Sequence, residues 1–161
     1  MSAQIGAPAA AARAHEELFA YWCSLREGAR LPARRDLDPA GMKRLLPTIS
    51  LIDVRRDPLE FRVRLAGTGL YGVYGREITG RRLTDIYNVA AADYWKFELG
   101  RVVREGRPAA GVHNLAWRGA SHLSILWLRL PLAGNGRDVD MILGFDAVVG
   151  MGQASSGIRA A

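Results

Sequence analysis

The sharpest alternation of apolar and charged positions lies at Phe61, Val63 and Leu65, interleaved with Arg62 and Arg64. Period two of this kind predicts a strand with one buried face. The preceding run, Thr48 to Arg55, carries Ile49, Leu51, Ile52 and Val54, and Asp57-Pro58 follows it, so Thr48–Arg55 and Leu59–Ala66 are expected to form an antiparallel hairpin. Gly67, Gly69, Gly72, Gly75 and Gly80 then punctuate a short aromatic segment, Leu70 to Tyr74. That segment is expected to cross over the sheet, with these glycines as its hinges. Helical spacing marks two longer stretches. Leu18, Trp22 and Leu25, beside Ala14 and Tyr21, make one stripe over 13–28; Trp95, Leu99 and Val102, beside Tyr94 and Val103, make another over 90–105. Gly28 and Gly106 end them. Asp38-Pro39 opens a short helix expected to stop before Pro47. Three strands close the chain, 109–117, 122–132 and 139–148, with Gly134-Asn135-Gly136 as the last hairpin turn.

These elements give an α+β class and one domain, 13–149, flanked by tails at 1–12 and 150–161 that are expected to be flexible. Composition narrows the chemistry. The single cysteine, Cys23, excludes an internal disulfide and a multi-cysteine zinc site. No apolar run approaches the roughly 20 residues of a membrane span, and the first residues lack a basic region followed by a leucine-type stretch, so a cytoplasmic protein is expected. The net charge is +6, but the arginines are scattered and form no run of five, which points to a solvated surface and away from nucleic acid.

The expected pocket has Tyr71, Tyr74, Tyr94 and Trp95 as walls and Leu126, Met141 and Leu143 as floor. It would take a small apolar or aromatic ligand, or serve only as core. Ile125 and Trp127 fall on the other face, where the 13–28 helix is expected to cover them. Leu18, Tyr21, Trp22 and Leu25, with Ile125 and Trp127, are then the expected interface, within one subunit or between two.

Other motifs lead less far. Gly67-Thr68-Gly69-Leu70-Tyr71-Gly72 spells GxGxxG, but the strand before it is charged on one face and later glycines cut the following helix short, so a phosphate loop is not expected. His15 reads as exposed, His113 and His122 lie on adjacent strands, and the long helix carries no histidine. Cys23 reads as a packing residue beside Trp22. Asp140 and Asp146 fall on the register read as outward, which leaves the pocket without a paired carboxylate, and no hydrolytic triad is present. No catalytic or metal-binding residues are assigned.

The order helix, two strands, short helices, long helix and three strands resembles the PAS fold. Leu31-Pro32 with Arg34, Leu37-Asp38-Pro39, Leu46-Pro47, Phe61 to Thr68, Thr79-Gly80, and Leu130-Pro131-Leu132 ahead of Val139 to Gly144 resemble a bacterial family of stand-alone PAS-like proteins. The resemblance implies a five-stranded antiparallel sheet with helices on one face and the N-terminal helix flanking it. It also implies a sensory or protein-interaction module, and the lack of a catalytic set among the residues leads to the expectation that the protein is not an enzyme. The expected mechanism is that a ligand or partner shifts the crossover and that the sheet relays this to the 13–28 helix, whose partner is a second copy or a separate signalling protein. The alternative is a ligand-free dimerisation module. The cofactor is unknown. PAS domains that bind haem use a histidine on the long helix, and flavin photoreceptors use a cysteine over the flavin ring; neither residue stands at its place here.

Overall fold

The computed structural model describes residues 8–150. The hairpin forms as the alternation requires: β1 (Ile49–Arg55) pairs with β2 (Glu60–Ala66), antiparallel, with a register shift between Leu51 and Ile52. Three helices follow, α2 (Leu70–Tyr74), α3 (Leu83–Ile86) and α4 (Val89–Glu105), and then β3 (Ala109–Leu115), β4 (Ala120–Leu132) and β5 (Met141–Gly150). The sheet order is β2-β1-β5-β4-β3, wholly antiparallel. The first strands therefore sit beside the last, and the α2–α4 connection crosses one face of the sheet to reach β3. Asn88 caps α4 by accepting from the Ala91 amide, and Gly106 ends it in the left-handed conformation.

The N-terminal helix, α1 (Pro8–Leu25), covers the opposite face. It starts earlier than the expected 13; the rest of the expected N-terminal tail, 1–7, and residues 151–161 of the C-terminal one lie outside the described residues. Leu18 and Trp22 are fully buried within this chain, and the Trp22 indole donates to the Pro131 carbonyl (2.9 Å). The 3₁₀ segment Pro39–Thr48 is capped by Asp38, which accepts from the Ala40 amide, and it continues past Pro47. Cys23 is exposed rather than packed, and His15 is partly buried, its ring edge-on to Phe145 at 6.3 Å.

Cross-strand pairing fixes which residues share a face, since directly opposed residues point the same way. Trp127 opposes Asp146 and Gly111, Arg129 opposes Gly144 and Ala109, and Gly144 opposes Ser50. This set lies under the α2–α4 helices. Leu126, Leu128, Leu130, Met141, Leu143 and Phe145 occupy the other face, where Leu126 meets Ala11 of α1. The expected faces of β4 and β5 are thus exchanged: Ile125 and Trp127 face the α2–α4 layer, and Leu126, Met141 and Leu143 face away from it. Both faces of these central strands are buried, so their near-continuous apolar runs carry no alternation from which to choose.

The hinge glycines at the start of the crossover are close-packing positions. A Cβ at Gly67 would overlap the Leu46 and Pro47 carbonyls, and one at Gly69 would lie 2.9 Å from the Pro47 oxygen. Their amides are already used: Gly67 donates to Ile49 (2.8 Å), Gly69 to Pro47 (2.9 Å), and Leu70 to Gly67 (3.0 Å). The far end is held too, because Arg118 donates to the Val73 and Gly72 carbonyls (2.7 and 3.2 Å). Gly75 and Gly80, both at positive φ, supply the turns beyond. Gly67→Ala is expected to destabilise the fold by roughly 1–3 kcal/mol, measured by denaturant unfolding, because the carbonyl it meets is fixed by the 3₁₀ segment.

Candidate functional site

The centre of the sheet, beneath α2–α4, holds a charge pair. Arg129 on β4 is 2% exposed and Asp146 on β5 is 0% exposed. One guanidinium nitrogen, Nη2, donates to both carboxylate oxygens of Asp146 (2.9 and 3.2 Å). The other, Nη1, donates to the carbonyls of Phe145 and Leu128 (both 3.0 Å). Tyr74 of α2 donates to Asp146 Oδ2 (2.9 Å), and Tyr87, just beyond α3, donates to the Tyr74 oxygen (3.3 Å). The guanidinium carbon stands 4.7 Å from the centre of the Trp95 ring and 5.8 Å from that of Trp127. A desolvated cation over a tryptophan face gains about 2 kcal/mol. Arg129 Nε and Trp95 Nε1 find no acceptor among the described residues.

Glycines make this arrangement possible. At Gly111 a Cβ would lie 2.8 Å from the Trp127 ring; at Gly144 it would overlap Ser50 Oγ and approach Arg129 Nη1 to 3.3 Å. Each large side chain lies across a glycine on the neighbouring strand, which keeps the layer flat enough for Trp95 to pack above it.

The cluster sets its own electrostatics. Burial pushes the Tyr74 hydroxyl well above the ordinary tyrosine value, and the negative charge of Asp146 pushes it further. Tyr87 moves the same way, again first through burial and then through Asp146. Burial opposes the charge on Arg129 most strongly, but Asp146, Tyr74 and Tyr87 together outweigh it, and the guanidinium holds its proton more firmly than usual. The tyrosines therefore remain neutral donors, and the guanidinium remains charged.

The residues expected to wall a pocket are divided by this geometry. Tyr74 and Trp95 belong to the cluster. Tyr94 stands at its edge, stacked on His113 at 4.2 Å and accepting from the Trp127 indole (3.1 Å). Tyr71 is 42% exposed on α2. Leu126, Met141 and Leu143 lie across the sheet. Asp146, read as outward, is the most buried acid of the site. Arg129, Asp146, Tyr87 and Ser50 were missed, although a signal existed: Arg129 is the one charged residue in Leu123–Leu132 and Asp146 the one in Met141–Gly150. Two lone opposite charges in adjoining apolar strands call for each other.

Little room is left inside. The cavity bounded by Arg129, Trp95, Tyr74, Tyr87 and Ser50 measures about 20 Å³, space for about one water. A profile of the PAS domain matches residues 10–146. The chain belongs to the PAS family. Its fold is similar to that of the Rhodobacter sphaeroides LOV protein (TM-score 0.50, 16% identity, 71% of this chain and 70% of that one). It is also similar to a light-oxygen-voltage domain studied with a flavin analogue (TM-score 0.51, 16% identity, 74% of this chain and 91% of that one). No curated protein matches the chain. Flavin does not fit this PAS domain: the interior is filled, and its one cysteine is exposed on α1, across the sheet. No group of histidine, cysteine or acidic side chains suited to a metal occurs among the described residues, and no helix among them is long and apolar enough to cross a membrane.

Two outcomes are expected. Arg129→Met should cost roughly 3–5 kcal/mol in urea unfolding by stranding Asp146, whereas Arg129→Met with Asp146→Leu should recover most of that loss. Burial holds both His15 and His113 below their ordinary value of 6.5. The unfolded chain therefore takes up protons first, so stability should be level above about pH 7 and fall as pH drops below 6.5. His15→Gln with His113→Gln should flatten that slope in thermal melts across pH.

Proposed function

We propose that this PAS domain is a cytoplasmic regulatory module of signal transduction whose output element is α1 and whose partner is a protein, with no catalytic step. One observation carries the reading. The two strands that hold the ion pair on one face hold α1 on the other. Asp146 follows Phe145, against which His15 packs; Arg129 lies two residues before Pro131, whose carbonyl accepts from Trp22. A shift of β4 against β5 would part Arg129 from Asp146, and α1 bridges both strands. Apart from Arg129 Nε and Trp95 Nε1, the polar side chains of the cluster satisfy one another, and burial moves both tyrosines away from proton transfer near neutral pH, which supports regulation over catalysis.

The residues expected to form an interface, within one subunit or between two, are only partly free for a partner. Leu18 and Trp22 are spent on this chain's own sheet, so a partner would read the outer side of α1 or take the helix after its release. Regulation by release is the reading supported by a helix seated through a few specific contacts.

Tyr74→Phe removes one hydrogen bond to Asp146 while keeping the ring. Amide exchange of α1 should rise several-fold in this variant, with the protection of β1 and β2 unchanged. Unchanged α1 exchange beside increased exchange in β4 and β5 would separate the cluster from α1 and end this reading.

A further inference from the structure

A second cavity lies on the back of the sheet, where α1 leaves β1 and β2 uncovered. The 3₁₀ segment Pro39–Thr48 forms one wall, and β1 and β2 with Leu143 of β5 form the floor. Its volume is about 530 Å³, within the range of small-molecule pockets. Leu51, Leu65 and Leu143 contribute to the floor, and Met42 and Leu46 to the wall. Leu65 is 48% exposed and Leu46 37%, so two large aliphatic side chains face solvent in the same trough. The only charged side chains in the lining are Arg34 and Lys43. No carboxylate lines it, and neither cation makes an ion pair among the described residues.

An apolar trough with two unneutralised cations complements a molecule with an apolar tail and one anionic head. We propose that this groove binds an amphipathic carboxylate with a medium-length aliphatic tail. The tail lies along Leu51, Leu65 and Leu143, and the head meets Arg34 and Lys43. The apolar floor disfavours nucleotides and other polyanions, and the cations would gain nothing from a neutral alkane.

The groove is joined to α1 through its wall. The Tyr21 ring lies on Gly41, where a Cβ would come within 2.5 Å of it. The Tyr21 hydroxyl accepts from the Asp38 amide (2.7 Å), and Arg44 pairs with Glu17 (2.6 Å). A tail that presses on the Pro39–Thr48 wall therefore presses on the seat of α1. This coupling rests on α1 being the output; occupancy of the groove does not.

Decanoate, kept below its micellar concentration, would be titrated into the full chain and followed by amide NMR, with decanol as the neutral counterpart. Saturable binding of one decanoate per chain is expected, with shifts at Met42, Leu51 and Leu65 and roughly tenfold weaker binding of decanol. Leu65→Glu should abolish binding, and Arg34→Glu with Lys43→Glu should weaken it roughly tenfold, as expected for two exposed charge contacts. All three positions are exposed, so the fold should persist. No saturable binding, or binding indifferent to both variants, would overturn the proposal; decanol binding as tightly as decanoate would overturn the carboxylate assignment. A wild-type dimer in native mass spectrometry that Leu65→Glu converts to monomer would show a second copy in the groove and overturn it as well. Decanoate bound in the groove with α1 exchange unchanged would leave the site standing and remove the proposed output.

Discussion

A charge placed in the middle of an apolar sheet must be neutralised where it stands. Arg129 and Asp146 meet that condition with two hydrogen bonds to each other, further bonds to backbone carbonyls, and a tyrosine donor. Bringing both ions out of water costs several kcal/mol for each, which their attraction offsets only when the geometry is good and the remaining donors are used. The surrounding layer is built around that requirement. Tyr74 arrives because α2 is short and turns at Gly75; Trp95 arrives because α4 lays one face over the guanidinium; glycines at 111 and 144 remove the atoms that would keep the large side chains apart.

This requirement also explains why the interior is closed. In a sheet-and-helix fold of this kind the space between the layers is the natural place for a ligand. Here two tryptophans, two tyrosines and the ion pair fill it. A small molecule has more room on the back of the sheet, where the helix and the 3₁₀ segment leave an apolar trough. The domain thus has a filled inner face and a more accessible outer one, and β4 and β5 belong to both.

The glycines of the crossover show how a motif can be legible and still mean something else. Their spacing matches a phosphate loop, yet the Gly67, Gly69 and Leu70 amides serve the Ile49, Pro47 and Gly67 carbonyls, and a five-residue helix follows. They are small because the 3₁₀ segment passes directly over them. Close approach of two backbones explains Gly67 and Gly69, and positive φ explains Gly75 and Gly80.

The sequence by itself determined the element order, the class, the hairpin of β1 and β2 and the stripes of α1 and α4. These rest on local periodicity, capping and turn chemistry, which neighbouring residues settle among themselves. It also held the two lone charges of the central strands. Only the tertiary structure decided which way those strands face. Residues 123–132 and 141–150 are buried on both sides, so neither face is marked, and a change of one residue in the reading exchanges every side chain. The choice was made by long-range partners: Trp95 and Tyr74 on one side, α1 on the other. For the same physical reason Arg129 and Asp146 became a site only when strand pairing brought them together.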